Sequence, residues 1–209
     1  VVSGPLATML LADQGAEVVK VEPLGIGGDV TRLPSYAKAG ISALFVNNNR
    51  GKRSLALDLT KEEGKQIVID LVEQADVFIQ NFRPGAIERL GLSYEDLKAV
   101  NPKLIYCSIS GFGPDGPYSD RPVLDPVIQG LTGMVSRQLN PQIPFPDLVR
   151  NLVADKSTAF TSAQAITAAL FSRERTGEGQ FLQIPMLDSC LYFFWVDGMM
   201  DLTMLDEDV

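Results

Sequence analysis

"TKEEGKQIVIDLVEQADVFIQNF" occupies residues 60–82 and carries the change of pattern that decides the fold. In its first half apolar residues recur at the helical interval, with Ile67, Val68, Leu71 and Val72 sharing one face. Thr60 and Glu63 stand three apart just ahead of that run, the spacing of a capping box. The period then shortens. "DVFIQNF" is brief, β-branched and aromatic, which is strand chemistry. "RSLALDL" at 53–59, immediately upstream, is extended as well, so strand, helix and strand follow one another.

The alternation continues on both sides. "SGPLATMLLADQGAEVVKVEP" (3–23) predicts a helix and a strand: Ser3 or Gly4 can cap, Pro5 suits the first helical position, and Gly15 ends the helix. Downstream come a helical "GAIERLG" (85–91), a capped helix at "SYEDLKAVNP" (93–102) and a strongly apolar strand at "KLIYCSIS" (103–110). "GFGPDGPYSDRP" (111–122) is a loop, "DPVIQGLTGMV" (125–135) a short helix, and the chain is then irregular to residue 147. A helix after Asp155 turns Phe160, Ala163, Ile166 and Leu170 toward a core and stops at "RTGEGQ" (175–180). "FLQIPML" (181–187) is a further strand, and "LYFFWVDGMM" (191–200) reads as a buried aromatic helix. Such alternation indicates an α/β domain with a mostly parallel sheet flanked by helices. "PLGIGGDV" (23–30) follows a strand, but its glycines lack the dinucleotide spacing and no helix opens there, so it reads as a loop and argues against NAD.

Composition sets limits on function. A chain of 209 residues, 45% hydrophobic, can bury one sizeable core. No segment has the uninterrupted apolar length of a membrane span, and no signal peptide is visible, although the first residue is Val1 rather than Met. The expected location is cytoplasmic, with mitochondrial or peroxisomal placement left open. Cys107 and Cys190 suit a reducing compartment and read as small buried hydrophobes. The net charge of −8 is concentrated at the C-terminal end, where 181–209 hold Asp188, Asp197, Asp201, Asp206, Glu207 and Asp208 and no Lys or Arg. Nothing here resembles a nucleic-acid surface. "NNNRGKRS" (47–54) gathers Arg50, Lys52 and Arg53, either as a solvated turn or as a seat for a phosphate-bearing small molecule. The chain has no histidine, which removes Ser-His-Asp and Cys-His pairs and the commonest zinc sites. No metal site is expected, and any nucleophile, acid or base must be Asp, Glu, Lys, Tyr, Cys or a hydroxyl.

One acidic residue then stands out. In "NLVADKSTAF" (151–160) an apolar run stops at Asp155 and gives way to small and hydroxylated residues. Asp155 is a good N-cap, and Thr158 three residues on loosely echoes a capping box. The alternative is a carboxylate set at a helix N-terminus because it reacts there. Both can hold at once.

Five stretches, in order, carry a resemblance: "SGPLATMLLADQGAEVVKVE", "RGKRSLALDL", "NFRPGAIERLGLSYEDL", "NPKLIYCSISGFGPDGP" and "ADKSTAFTSAQAITAAL". Together they resemble the family III CoA-transferases, relatives of formyl-CoA transferase and carnitine CoA-transferase that share a fold with α-methylacyl-CoA racemase. The resemblance implies that residues 1–209 form the Rossmann-like large domain of a longer protein, incomplete at both ends, with the small domain absent. It implies coenzyme A and acyl-CoA as substrates, no permanently bound cofactor, a carboxylic acid acceptor, and an interlocked homodimer in the complete protein. The carboxylate matching Asp155 is the family's nucleophile; it forms an aspartyl anhydride and then an aspartyl-CoA thioester. A helix N-terminus would stabilise that anion.

CoA contacts carry over to Asn81, Phe82, Arg83 and Arg89, and to the strand end at Ala56, Leu57, Asp58 and Leu59, whose backbone would receive the adenine. Leu124 and Asp125 complete the implied contacts. Taken alone, Asn81 and Phe82 read as a strand-end turn and Arg89 as a solvated helix face. Many relatives place an Arg where this chain has Pro23, which leaves Arg32, Lys52 or Arg53 to reach a phosphate. Racemase relatives carry a histidine at the position of Leu124, and leucine cannot move a proton. Formyl-CoA transferases carry a glutamine at the position of Val2, which argues against formate or oxalate. A racemase or a catalytically silent CoA-binding module on the same fold are the alternatives to a transferase.

Overall fold

The computed structural model describes residues 1–25, 27–33, 37–145 and 147–204; Asp206, Glu207 and Asp208 of the acidic tail lie outside them. Helices α1 (Ser3–Asp13), α2 (Ala43–Asn49), α3 (Glu62–Val72), α4 (Tyr94–Val100), α5 (Asp125–Leu131), α6 (Met134–Arg137), α7 (Val153–Thr176) and α8 (Met186–Gly198) alternate with strands. The strands are β1 (Val18–Pro23), β2 (Ala37–Lys38), β3 (Ile41–Ser42), β4 (Lys52–Leu57), β5 (Val77–Gln80), β6 (Ile105–Ser110) and β7 (Gln180–Pro185). β1 pairs in parallel with β4, from Val18 opposite Lys52 to Pro23 opposite Leu57. β5, β6 and β7 form a second parallel sheet with β6 in the centre, and β2 and β3 make a two-residue antiparallel ladder. The α/β architecture with parallel sheets is the one the alternation predicts. None of the described helices is long and apolar enough to cross a membrane.

β6 explains the layering. Its side chains alternate between faces. Cys107 and Ile109 join Ile128, Ile166, Ile184 and Cys190 beneath α5, α7 and α8. Tyr106 joins Val68, Val72, Leu92 and Leu97 beneath α3 and α4. The Tyr106 hydroxyl, buried, donates to the Leu92 carbonyl at 3.1 Å. Both cysteines are buried, and desolvation pushes the Cys107 thiol up to about 12, so it is inert at neutral pH.

α3 departs from expectation, and its reason is local. The Asp58 carboxylate accepts from both the amide and the hydroxyl of Thr60, so Thr60 caps nothing and the capping box with Glu63 does not form. The helix starts at Glu62 and buries Gly64, Val68 and Val72, leaving Ile67 and Leu71 exposed. Gly64 sets that rotation: a Cβ there would come within 2.2 Å of the Asp58 carbonyl oxygen. In α4 the expected cap does form, Ser93 and Asp96 each bonding the other's backbone. "GAIERLG" contributes only a 3₁₀ turn, Glu88–Leu90.

Four further expectations change. Pro5 occupies the third, not the first, position of α1, which begins at Ser3 without a side-chain cap. The "NNNRGKRS" segment is a solvated turn only in part: Arg50 and Gly51 turn at the surface, whereas Asn48 and Asn49 end α2 in a buried position and Lys52 opens β4. The aromatic face of α8 is not buried: Met186, Ser189 and Cys190 point inward, whereas Tyr192 is 83% exposed and Phe193, Trp195 and Val196 also face outward. Phe160 of α7 is likewise 60% exposed. α7 instead turns small residues inward (Ala154, Ser157, Thr158, Ala159 and Ser162), and these let α1 lie close along it.

Candidate active site

Asp155 lies in the first turn of α7, half-buried, and is not its N-cap: that position is Leu152, which supplies no side-chain bond. The cap comes from elsewhere. Asp125, buried at the start of α5, accepts the Asp155 amide through Oδ2 at 2.9 Å. Its Oδ1 accepts from Gln129 Nε2 at 2.6 Å. Gln129, also buried, donates further to the Val149 and Asn151 carbonyls and accepts from the Val149 amide at 2.8 Å. α5 therefore straps down the segment that enters α7.

With its backbone held in this way, the Asp155 side chain reaches α1. Oδ1 accepts from the Ser3 amide at 3.2 Å and from Ser3 Oγ at 2.5 Å, across 152 residues of sequence. Among the described residues no group hydrogen-bonds Oδ2 and no cation pairs with the carboxylate. The carboxylate thus sits at the N-terminal ends of two helices, where backbone N–H groups and both macrodipoles favour negative charge. In the sequence Ser3 reads only as a cap. Its pairing with Asp155 has no local signal.

β5 delivers the next group. Gln80 at its end is buried, bonds Ser108 Oγ at 2.8 Å and accepts the Phe82 amide at 2.7 Å, which fixes the turn that exposes Asn81, Phe82 and Arg83. Gly4 of α1 sits against the Asn81 side chain, where a Cβ would meet Cγ at 3.4 Å. Asn81 is in this way adjacent to the helix end that holds Asp155. Arg89 is exposed on the 3₁₀ turn, with its guanidinium over Gly85.

At the end of β4, Ala56 is exposed, Leu57 is buried with its carbonyl taken by the Leu24 amide at 3.0 Å, and Leu59 packs partly into the core. The Asp58 carboxylate is held below its usual range by the Thr60 hydroxyl and amide. Leu124 is 72% exposed at the N-cap of α5, while the Asp125 carboxylate is turned inward with both oxygens bonded. What Asp125 can offer a ligand is its backbone.

A second cluster lies between β1, β4 and α2. Glu22 is buried and accepts from Arg32 Nε at 2.8 Å, Arg32 Nη2 at 2.7 Å, Ser54 Oγ at 2.7 Å and the Asp29 amide at 2.9 Å. The Arg32 guanidinium is the main cause that brings its carboxyl down to about 2. Arg32 also stacks on Phe45, 3.9 Å from the ring centroid. Lys20 pairs with Asp29 at 2.7 Å. Lys52 donates to Pro5 O, Asn48 O and Asn49 Oδ1, and burial pushes it down to about 7.

Of the three cations that could reach a phosphate, Lys52 is consumed internally. Arg53 pairs with Glu17 near the opposite end of β4 from Ala56. Arg32 lines a cavity of about 300 Å³ together with Ala56, Pro23, Leu24, Gly25, Gly27 and Gly28, and its Nη1 makes no hydrogen bond among the described residues. The ends of β1 and β4 open on that cavity, the usual ligand side of a parallel sheet.

The sequence model of CoA-transferase family III matches residues 1–207. A probable fatty acyl-CoA transferase of Mycobacterium tuberculosis, Rv3272, is 40% identical over 190 residues, 90% of this chain and 48% of that protein. A succinate–glutarate CoA-transferase of Agrobacterium fabrum is 44% identical over 195 residues, again 90% of this chain and 48% of its own length. The crystal structure of a CaiB/BaiF family protein from Brucella suis superposes with a TM-score of 0.91 at 39% identity, covering 99% of this chain and 55% of that one. The chain spans about half the length of the curated relatives it matches.

Proposed function

This chain belongs to CoA-transferase family III, and on that premise we propose that it carries the nucleophilic half of an enzyme that moves CoA from an acyl-CoA to a carboxylic acid. The observation that carries the reading is the state of Asp155: one oxygen held by two neutral donors, the other without a partner among the described residues. Oδ2 attacks the thioester carbon, forming a C–O bond and expelling CoA thiolate. The thiolate adds to the Asp155 Cγ and breaks its bond to Oδ2, which departs with the donor acid and leaves an aspartyl-CoA thioester. The acceptor carboxylate then displaces thiolate from Cγ, and thiolate attacks the acceptor's acyl carbon to release the new acyl-CoA and the free Asp155 carboxylate. No net proton is consumed, which accords with a chain that has no histidine.

In this reading the adenine end of CoA lies along the backbone of residues 56–59, in the cavity where Arg32 offers Nη1 to a phosphate. Asn81, Phe82, Arg83 and Arg89 guide the pantetheine arm toward Asp155. Leu124 and the backbone of Asp125 border the acyl group, and the apolar Leu124 with Val2 disfavours formate or oxalate. The chain is then the large domain. The remainder of such a protein, in an interlocked dimer, closes over the carboxylate and keeps water from the anhydride.

The test is Asp155→Asn in the intact protein, followed by mass spectrometry of thioesters with an acyl-CoA and candidate acids. Transfer should fall by several orders of magnitude while CoA affinity and melting temperature stay near the parent's, because Asn cannot form an anhydride. Transfer near the parent rate would remove Asp155 from the mechanism. Solvent deuterium entering Cα without transfer would mark a racemase, and binding without either reaction a silent module.

A further inference from the structure

We infer that the Ser3 side chain is a further catalytic group, one half of a two-donor oxyanion site built for the steps at the Asp155 Cγ; the inference rests on Asp155 being the nucleophile. Ser3 is buried and opens α1, so its amide is one of the first-turn donors that the helix itself leaves unpaired. The hydroxyl is unusual in its aim. Thr8, Ser157, Thr158 and Ser162, on the same two packed helices, all return their hydroxyls to carbonyls three or four residues back. At the first helical position Ser3 has no preceding turn to bond. Its hydroxyl instead joins its own amide on a single oxygen, Asp155 Oδ1, at the short end of the range for a hydroxyl on a carboxylate.

That choice of oxygen has a chemical meaning. Oδ2 is the atom that attacks and then departs with the donor acid, so Oδ1 is the carbonyl oxygen of the anhydride and of the aspartyl-CoA thioester. When thiolate adds to the anhydride at Cγ, a C–S bond forms and the electron pair moves onto Oδ1 before the bond to Oδ2 breaks. When the acceptor carboxylate adds to the thioester, a C–O bond forms and the pair again collects on Oδ1 before C–S cleaves. Ser3 N–H and O–H already point at that atom, so the growing charge meets donors that need no reorganisation. In the first attack, on the donor acyl-CoA, charge grows on the substrate's own carbonyl oxygen, and Ser3 has no such role there.

A single-turnover chase separates these steps. The intact protein, its Ser3→Ala and its Ser3→Thr variants are charged with acyl-CoA; the CoA adduct on Asp155 is followed by intact-protein mass spectrometry, then chased with acceptor acid. Ser3→Ala should both form the adduct and discharge it about 10²-fold more slowly, with unchanged CoA affinity. Ser3→Thr, which keeps the hydroxyl, should discharge within about tenfold of the parent. An adduct discharged by Ser3→Ala at the parent rate overturns the role of Ser3 and leaves Asp155 in place. An adduct that never forms on Asp155 in the parent defeats the nucleophile itself. Loss of CoA affinity together with transfer in Ser3→Ala would show a merely structural serine and also overturn the inference.

Discussion

Glu22 and Asp155 are both carboxylates drawn in from the surface, and the chain holds them in opposite ways. Glu22 is gripped by a guanidinium through two bonds, then by Ser54 and the Asp29 amide, until both oxygens are occupied. Among the described residues no cation pairs with Asp155, which is steadied on one oxygen by neutral donors. The first arrangement fixes a loop to a sheet and leaves nothing over for chemistry. The second keeps one oxygen available. A charge-paired carboxylate is a structural part, whereas one stabilised by helix ends and a hydroxyl can form and break bonds without leaving a cation stranded. Asp125 stands between them, with neutral donors on both oxygens.

That contrast should appear as a double dissociation. Asp155→Asn is expected to cost transfer and little stability. Glu22→Gln should do the reverse, lowering stability by about 3 kcal/mol in urea unfolding because Arg32 is left half-buried without its counter-charge. The pH dependence follows the sign of the shift. Glu22 has a folded-state pKa of about 2 against an ordinary 4.5. Its stabilisation is therefore complete above about 4.5 and is lost as pH falls through that value toward 2. Acid unfolding followed by circular dichroism should show this loss in the parent and a flatter profile in Glu22→Gln. A Glu22→Gln variant as stable as the parent would end the comparison.

Asp125→Asn tests the intermediate case. Its amide nitrogen must face either Gln129 Nε2 or the Asp155 amide, donor against donor, at a cost of about 1–2 kcal/mol. Transfer should slow as the 149–155 segment loosens, with CoA affinity kept. Arg53→Ala should do least, within about 0.5 kcal/mol, since the Arg53 and Glu17 side chains are 72% and 87% exposed.

Elements set by local rules are legible in the sequence. The parallel strands, the Ser93 cap, the loop after β6 and the central burial of "IYCSIS" all follow from periodicity and turn chemistry within a few residues. Choices made by a distant or competing partner are not. Thr60 has the right neighbour for a cap, but Asp58 competes for its donors and wins. Phe160 fits a helical apolar stripe, yet α7 turns its small residues to α1 because close helix approach needs small side chains. In the site, Asp155 is visible as an acid at a helix start. Its bond to Ser3, and its cap from Asp125, join residues 152 and 30 positions apart, and no local pattern encodes them.

The outward face of α8 also gives the protein a built-in optical probe. Trp195 is the only tryptophan in the sequence and is 54% exposed, beside Tyr192 and Val196 rather than in either core cluster. Its emission therefore reports directly on the outer face of α8, and on the core around β6 only through the packing of α8 against it. The same indole is placed to shift toward the blue when another surface settles on α8. Intrinsic fluorescence, usually taken as a measure of unfolding, is in this chain a measure of coverage as well.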